Sequence, residues 1–569
     1  MRTLILSGLL LVVLTGIIHA QTINREVAYL QTDRSTYISG EKIYYKLYLL
    51  DPATKKRSDI SRVGYILLRS AGSNPSLKIR VKIDAGMSNG SILLPDTLSS
   101  GAYQLVAYSG VMKNVGEQCF FHKQIIIANR FDKELDFKIP KSTSTDSSLT
   151  ESNLNGLTIK TDKNVYHIRE KVLVSLGKMH SKANVSISVF EEPEISSPYK
   201  SITETLQGFT IIKPDKQVST SYTPENTGKI LRGRVIDSST GKYVKSATVL
   251  LSCMDTISNL QYALTDSAGL FQLLLNDYYE GKELFLTIKD LPENQHWKIQ
   301  IEDEFAQPEK WNPVLNSDVS KFKEFIEKSQ NIVYINKCYR LMNDTTVKTN
   351  KGLNIICPQV YNCPAISVYP SEFVPLNDFQ EIAVEILPFV SVNKEKGIYH
   401  VHVTSTLTEN LKYNAAVFLD GVYVDDMNKI APLGSEQIKK IDFIDTERAF
   451  GDLVFQGIVS ITSKLNEIKN TIPSTQSLRI KNDKVNKTES YEPNLLTYIQ
   501  NRNIPLYNQL LYWNPELEIN GTDNTEVEFY TSDNTANYII KVEGISEDGI
   551  PISLSSRFQV NKFINAKDK

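Results

Sequence analysis

The stretch TDRSTYISGEKI, from Thr32 to Ile43, returns further along the chain as TDKNVYHIREKV, from Thr161 to Val172. Both copies keep a Thr-Asp pair, a basic residue, a Tyr and a Glu-Lys pair without a gap. We call them phrase 1 and phrase 2. Their spacing is that of a whole domain, because solenoid repeats are shorter, typically about 20–50 residues. The repetition therefore predicts two copies of one kind of domain.

The sequence around phrase 1 has the pattern of β-strands. Short apolar or alternating runs are separated by turn residues, namely Lys42–Leu50, Val63–Ser70, Gly90–Pro95, Gly101–Gly110 and Phe120–Ala128. This spacing, with no helical period between the runs, predicts an antiparallel sandwich. Phrase 1 then forms the bend into the second strand, with Tyr37, and Tyr166 in phrase 2, packed inward. Gly40 can take a positive φ at low cost, so Arg169 at the matching position predicts a different turn in phrase 2.

The remaining sequence changes character several times. A Ser/Thr-rich linker at Lys141–Asn155 is followed by further strands, and Asp318–Val333 has the period of an amphipathic helix. The predicted fold is mainly β, with tandem antiparallel sandwiches and one small α+β domain. The predicted parts are residues 1–20 (signal peptide), 21–140 (sandwich), 153–228 (second sandwich), 229–303 (third sandwich), 304–378 (helical or irregular connector), 379–465 (α+β domain with a short helix before IKKIDFI) and 493–569 (C-terminal sandwich).

Composition and the first residues bound the class of protein. One Arg, an apolar run and Ala20 before Gln21 are typical of a cleaved signal peptide, with a membrane anchor as the alternative. We expect an exported protein with no transmembrane segment in the mature chain. Lys and Arg number 63 against 65 Asp and Glu, which argues against nucleic acid as a partner. Of five cysteines, Cys357 and Cys363 are the favoured disulfide pair, and free cysteines are the alternative.

The predicted sandwiches resemble two known domain families. Phrase 1 resembles the opening of macroglobulin-type sandwiches in exported proteins of the Bacteroidota, T-D-[KR]-x-x-Y-x-x-G-[ED], and phrase 2 departs from it only at Arg169. The third sandwich is similar to carboxypeptidase regulatory-like domains, whose motif is met by Gly233, Val235, Asp237, Thr240, Gly241, Val244, Ala247, Val249, Thr265, Asp266, Gly269 and Phe271. The tail is similar to a closing macroglobulin-like module. These resemblances imply binding domains of the cell envelope.

The α+β domain resembles the plug domain of TonB-dependent outer-membrane receptors. The resemblance is carried by LDGVYVDD at Leu419–Asp426, by IKKIDFI at Ile438–Ile444 and by a degenerate segment at Ala449–Lys464. A receptor plug is followed by many membrane strands of about 9–11 alternating residues each. The 105 residues after Lys464 have the pattern of a soluble sheet. We therefore expect that this chain is not a transporter by itself.

Three groups of residues contain side chains that could carry chemistry. Gly116-Glu117-Gln118-Cys119 has the letters of the macroglobulin thioester in the wrong order, since the Cys must precede the Gln. His400 and His402 share one face of a strand and could begin a zinc site, or could be wet polar residues. Asp420, Asp425 and Asp426 could be paired carboxylates, but an acidic hairpin turn explains them more simply. The sequence therefore predicts no catalytic, cofactor-binding or metal-binding residues, and no cofactor.

These observations favour a non-enzymatic, exported scaffold or binding protein, located in the periplasm or at the outer membrane. The expected partners are envelope proteins, among them a TonB-dependent receptor, or a glycan. The alternative is a macroglobulin-like, protease-trapping protein, for which the polar segment Asn466–Glu492 is the candidate bait. A third class, a hydrolase, would require His400 and His402 in a deep cleft with carboxylates.

Overall fold

A computed structural model gives the structure of the chain. It describes residues 26–71, 75–132, 157–192, 200–208, 222–291, 295–307, 309–313, 319–339, 357–395, 397–404, 415–464, 477–483, 491, 503–520 and 523–562. The predicted signal peptide and the linker Lys141–Asn155 lie outside these residues. The chain forms two compact units, one of Met1–Asn226, Phe305–Asn350 and Asn486–Lys569, the other of Thr227–Glu304 and Lys351–Val485. In the described part, no helix has the length and apolarity needed to span a membrane.

Strands dominate the described residues. In chain order they are β1 (Val27–Thr32), β2 (Thr36–Ile38), β3 (Lys42–Leu50), β4 (Val63–Ser70), β5 (Leu77–Lys82), β6 (Met87–Leu93), β7 (Gly101–Ser109), β8 (Phe121–Ala128), β9 (Ile159–Thr161), β10 (Val165–His167), β11 (Lys171–Leu176), β12 (Ala183–Glu191), β13 (Lys229–Asp237), β14 (Thr248–Cys253), β15 (Gln261–Leu264), β16 (Leu270–Leu275), β17 (Glu283–Ile288) and β18 (Trp297–Ile301). They continue as β19 (Ile366–Val368), β20 (Val390–Glu395), β21 (Ile398–Val403), β22 (Ala416–Leu419), β23 (Val422–Val424), β24 (Ile438–Phe450), β25 (Leu453–Ser463), β26 (Ser477–Lys481), β27 (Leu510–Ile519), β28 (Thr525–Tyr530), β29 (Asn537–Ser546) and β30 (Pro551–Asn561). The helices are α1 (Ile202–Gly208), α2 (Val319–Cys338) and α3 (Phe379–Glu385).

The first sandwich packs a sheet of order β1-β3-β6 against one of order β2-β8-β7-β4-β5. Its core is a dense set of fully buried Tyr, Leu, Ile and Val side chains. The predicted strands at Lys42–Leu50 and Val63–Ser70 match β3 and β4 residue for residue. The predicted helix is present as α2, whose Phe325 and Ile326 pack with residues of β2 and β8. The predicted fold class, mainly β with tandem sandwiches and one small α+β domain, is confirmed.

Phrases 1 and 2 fold in the same way. Each Tyr is fully buried and donates its hydroxyl hydrogen bond to the Asp of its own phrase, Tyr37 to Asp33 at 2.8 Å and Tyr166 to Asp162 at 2.7 Å. The short strand that carries the Tyr runs parallel to the last strand of its sandwich, β2 beside β8 and β10 beside β30. The repeated phrase is therefore one structural motif, which pairs a short strand near the start of each sandwich with its last strand.

The predicted difference between the two turns is wrong. Gly40 has φ 87° and Arg169 has φ 59°, so both take the left-handed conformation. A side chain with a Cβ pays about 1–2 kcal/mol for this conformation. In phrase 2 the Arg169 side chain supplies a compensating contact, because its Nε and Nη2 donate to the two carboxylate oxygens of Asp533, each at 2.6 Å.

The second and the C-terminal sandwiches, predicted as separate domains, are one sandwich. Its sheets have the orders β10-β30-β29-β12-β27 and β28-β11-β9. The four strands β9–β12 alone cannot cover their own apolar faces. Val172, Val174 and Val189 are buried in one cluster with Phe529 and Ile540 from the C-terminal strands. The structure therefore corrects the boundaries 153–228 and 493–569, because the apolar residues of both segments need each other for burial.

The second unit contains the third sandwich and the α+β domain. The sandwich pairs a sheet of order β16-β13-β18 with one of order β15-β14-β17-β26. The α+β domain has a sheet of order β19-β24-β25-β22-β23, the hairpin β20-β21 and helix α3. Its strand β19 lies inside the predicted connector 304–378, and turns replace the short helix predicted before IKKIDFI.

Candidate functional site

The thioester-like letters occupy a structural corner of the first sandwich. Glu117–Cys119 forms a single 3-10 turn, and Cys119 is buried. The Glu117 carboxylate pairs with Arg69 at 2.8 Å and accepts the backbone N–H of Glu309. Gln118 is exposed and donates to the Val115 carbonyl at 3.3 Å. The side chains of Glu117 and Gln118 therefore form hydrogen bonds within the fold.

His400 and His402 lie on one face of β21, as their spacing predicts. Their ring centroids are 6.3 Å apart with an interplanar angle of 27°. Across the hairpin they oppose Asn393 and Ser391 of β20. Among the described residues, no group of three or more His, Cys, Asp or Glu side chains is arranged to hold a metal. The pair therefore has only small polar neighbours directly across the hairpin.

The acidic hairpin is held by its own carboxylates. Asp420 and Gly421 have φ values of 47° and 83°, which is the type I′ turn that Asp-Gly favours between two strands. The Asp420 carboxylate accepts the backbone N–H of Ser463 at 2.8 Å and its hydroxyl at 2.6 Å. Asp426 caps the next short turn by accepting the Asn428 N–H at 3.1 Å. Asp420 and Asp426 thus have structural partners within the fold.

The predicted disulfide between Cys357 and Cys363 is not formed. None of the five cysteines is in a disulfide; Cys119 and Cys253 are buried and the other three are partly or fully exposed. Burial raises the pKa of the Cys253 thiol to about 11, so this thiol stays protonated at neutral pH. Cys253 packs in the core of the third sandwich, and Cys357 lies partly buried against that core.

Part of the candidate bait segment is a paired strand. Within Asn466–Glu492, residues Ser477–Lys481 form β26, which pairs with β17 over five residues. Asn482 follows it, is 6% exposed and donates its Nδ2 to the Tyr279 carbonyl at 2.8 Å. A protease must bind its substrate as an accessible extended segment, so this portion is a poor bait. Most other residues of the segment lie outside the described chain.

The α+β domain carries an exposed apolar surface that sequence reasoning missed. It is formed by Ile366, Tyr369, Phe373 and Val374, and we call it the apolar edge. Tyr369 is 42% exposed and Val374 is 73% exposed. Ile366 lies on β19, which ends the order of its sheet, and Phe373 and Val374 follow the 3-10 turn Pro370–Glu372. The sequence signal for this surface was a group of four large apolar side chains within nine residues.

The edge strand is fastened from its inner side by one carboxylate. Asp442 of β24 is 6% exposed and accepts the hydroxyls of Ser367 at 2.6 Å and Tyr361 at 3.2 Å. Lys440 pairs with the same carboxylate at 2.7 Å, and this hydrogen bond raises the pKa of Lys440. With β19 held in this way, Ile366 stands on a strand of fixed position, and Tyr369, Phe373 and Val374 follow that strand directly in sequence.

A second feature absent from the sequence analysis is a set of buried lysines within the first unit. Lys46 and Lys123 of the first sandwich are 1% and 6% exposed, and burial lowers the pKa of each to about 7. Lys123 donates to Thr32 Oγ1 at 2.6 Å. In the second sandwich Glu543 is fully buried and accepts the Tyr29 hydroxyl at 2.7 Å. The contact between the two sandwiches therefore includes buried polar and charged groups as well as apolar ones, such as Tyr44 against Phe190 and Trp513.

Comparison with known proteins gives remote matches only. No protein-family model matches the sequence, and no curated protein matches it. Among solved structures, Salmonella alpha-2-macroglobulin reacted with methylamine is 7% identical, with 94% of this chain and 23% of that chain covered and a TM-score of 0.16. The native conformation of E. coli alpha-2-macroglobulin is 8% identical, with 95% of this chain and 40% of that chain covered and a TM-score of 0.25. This chain spans less than half the length of these structures, and our account of the fold rests on its own strand pairing.

Proposed function

We propose that this chain is a non-enzymatic, exported cell-envelope protein, a multi-sandwich scaffold that binds a protein partner and works beside a TonB-dependent outer-membrane receptor. The observation that carries the proposal is the apolar edge at Ile366–Val374. Apolar side chains grouped at an outer strand and the turn after it mark an interaction surface, because water contact with them is unfavourable and a partner removes it.

The edge suits a partner that supplies an extended strand. A strand at the end of a sheet offers unpaired backbone groups, and a second chain can continue the ladder there. The side chains of Tyr369, Phe373 and Val374 would then be covered by that partner. Full burial of one such side chain contributes roughly 1.5–3 kcal/mol. The backbone pairing and these side chains together favour a protein over a glycan.

The placement of the candidate chemical groups supports a binding role. Glu117, Asp420 and Asp426 each hold a turn or a strand end of the fold. A general acid or base must lie within hydrogen-bond reach of a reacting group. These carboxylates instead form hydrogen bonds that hold the fold. The signal-peptide pattern and the plug-like motifs of the sequence support the location at the envelope and the association with a receptor.

Site-specific photo-crosslinking in the native host tests this proposal. A photoreactive phenylalanine analogue replaces Tyr369 in the full-length protein, and the same analogue at Tyr243 of the third sandwich, which is 56% exposed, serves as control. We expect an adduct with an outer-membrane protein from position 369 and none from 243. Equal labelling at the two positions, or no adduct from 369 in membranes that contain the protein, would contradict the proposal.

A protease-trapping function predicts a different result. Limited proteolysis of the purified protein would then cut inside Asn466–Glu492 and leave the protease held by the chain. For the scaffold we expect trimming without capture, with Ser477–Lys481 cut slowly because it is paired with β17. A captured protease would replace the scaffold proposal with the alternative.

A further inference from the structure

Lys46 is held against a side-chain amide from another sandwich. Its Nζ contacts Oδ1 of Asn184 in β12 and lies 2.5 Å from the carbonyl oxygen of Pro515 in β27. The Tyr48 ring centroid lies 4.9 Å from the same nitrogen. An amine of the first sandwich, whose residue is 1% exposed, and a primary carboxamide of the second, whose residue is partly buried, are thus in direct contact.

The contact is produced by an irregularity in the strand pairing. β12 pairs with β27 at Val185 opposite Leu517 and at Ile187 opposite Asn514, so the register shifts between these pairs. Two residues of β27, Pro515 and Glu516, fall within this shift. Pro has no N–H to contribute to a ladder and is accepted at a bulge, and bulges redirect the groups beside them. Here the bulge turns the Pro515 carbonyl toward Lys46.

The surroundings favour the neutral amine. Burial lowers the pKa of Lys46 to about 7, although the charge of Glu516 acts in the opposite direction. At neutral pH a large fraction of the molecules therefore carries an unprotonated Nζ with a free lone pair, which is the nucleophilic form of lysine. A desolvated lysine is the form in which this side chain acts as a nucleophile in enzymes.

We propose that Lys46 and Asn184 condense to form an intramolecular isopeptide bond between the first and second sandwiches. The Nζ lone pair attacks Cγ of Asn184, the Nζ–Cγ bond forms and the Cγ–Nδ2 bond breaks. Nδ2 leaves as ammonia and takes the proton that Nζ releases. One amide replaces another, so the step needs no oxidant, reductant or cofactor. The Pro515 carbonyl orients the amine by accepting one of its hydrogens.

In the proposed step Glu516, whose charge acts on the amine, carries the proton from Nζ to the departing ammonia. It stands in the same bulge, its charge acts on Lys46, and its Oε1 accepts Nδ2 of Asn89 at 2.8 Å. A carboxylate that moves a proton in this way commonly accelerates a reaction by about 10²–10⁴-fold. Replacement by Gln keeps the hydrogen-bonding shape and removes the proton carrier.

Mass spectrometry of the purified full-length protein tests the bond. We expect a digest of the folded protein to contain one branched peptide that joins Lys46 to Asn184 and is lighter than its two parts by one ammonia. The Lys46→Arg variant should give two linear peptides, because its guanidinium stays protonated and cannot attack. The Glu516→Gln variant should form the branched peptide at least 10-fold more slowly after refolding.

The Asn184→Asp variant separates this bond from other losses of ammonia. Its carboxyl group can condense with Lys46 only by loss of water, so an unchanged ammonia deficit in this variant would overturn the proposal. A wild-type protein that shows native hydrogen-exchange protection in β3 and β12, but only linear peptides for Lys46 and Asn184, would overturn it as well. The contact would then be an ordinary hydrogen bond.

Discussion

Arg169 and Asp533, 364 residues apart in sequence, form a side-on ion pair in which two guanidinium nitrogens each lie 2.6 Å from a carboxylate oxygen. The pair fastens phrase 2 to the loop after β28, and Arg169 also donates to the Ile504 carbonyl at 2.5 Å. Their side chains are 9% and 14% exposed. The first and last segments of the second sandwich are therefore joined by charge as well as by strand pairing.

Substitution of Arg169 tests this pair. We expect Arg169→Ala to lower the stability of the second sandwich by about 2–4 kcal/mol, because Asp533 loses its partner in a largely buried place. Arg169→Gly should cost about 1 kcal/mol less, since Gly accepts the φ of 59° without strain. Hydrogen exchange of β10 and β28 measures both effects.

The matched control is Lys163→Ala, which removes the exposed ion pair to Glu170 in the same phrase. Exposed pairs contribute little to stability, so exchange in β10 should stay unchanged. An effect of Lys163→Ala as large as that of Arg169→Ala would contradict the assignment of the anchor to Arg169.

The two Asp residues of the phrases should respond to pH in opposite directions. Burial raises the pKa of Asp33 to about 6, although Arg34 and two hydrogen bonds oppose it. Burial also acts on Asp162, but hydrogen bonds from Tyr166 and the Leu173 N–H outweigh it, and its pKa lies below the usual value. The folded state thus binds the Asp33 proton more tightly than the unfolded state, and the Asp162 proton less tightly.

From this linkage, opening of β2 should become easier as pH rises from 3.8 to about 6, and opening of β10 easier as pH falls below 3.8. Hydrogen exchange at a series of pH values, corrected for intrinsic rates, measures both. Asp33→Asn should abolish the trend in β2 and leave β10 as it was. Trends of the same sign in the two strands would show that the Asp33 carboxyl is not protonated in this range.

Truncation at the C-terminal end should unfold the second sandwich and leave the first folded. Deletion of residues 503–569 removes β27–β30 and exposes the apolar faces of β11 and β12. We expect residues 157–192 to lose protection against limited proteolysis. Residues 26–132 should keep theirs, because their core cluster is formed within this segment apart from Ile202, Leu206 and Ile545. Deletion of 563–569 alone is the control and should change neither region. A protected 157–192 in the longer deletion would contradict the shared sandwich.

Asn482 should fix the end of β26. Its side chain donates to Tyr279, and its backbone N–H and carbonyl pair with Lys282 and Gly281. Asn482→Ala removes the side-chain bond and leaves a buried carbonyl without its donor, which costs about 1–3 kcal/mol. Faster hydrogen exchange in β26 is the expected result, with Lys481→Ala, an exposed neighbour, as the unchanged control. Equal exchange in wild type and Asn482→Ala would show that β26 is held by its ladder alone.

Some features follow from local sequence alone. The alternating runs of β3 and β4 and the Asp-Gly turn at Asp420 are decided by neighbours within a few residues, so their patterns predict them. The inward packing of Tyr37 and Tyr166 follows in the same way from the repeated phrase.

Other features depend on which distant segments meet. The partners of β11 and β12 come from the end of the chain, and β26 pairs with β17, a strand that begins nearly two hundred residues earlier. From the sequence alone, Arg169 predicted a different turn, because its distant partner Asp533 is found only in the tertiary structure. The contact of Lys46 with Asn184 likewise depends on a bulge in β27. The sequence by itself determined the strands and the repeated turn, because these depend on short-range sterics and alternation. The tertiary structure alone decided how strands were shared between segments and which charges were buried, because burial and electrostatic pairing act between groups that are close in space at any separation in sequence.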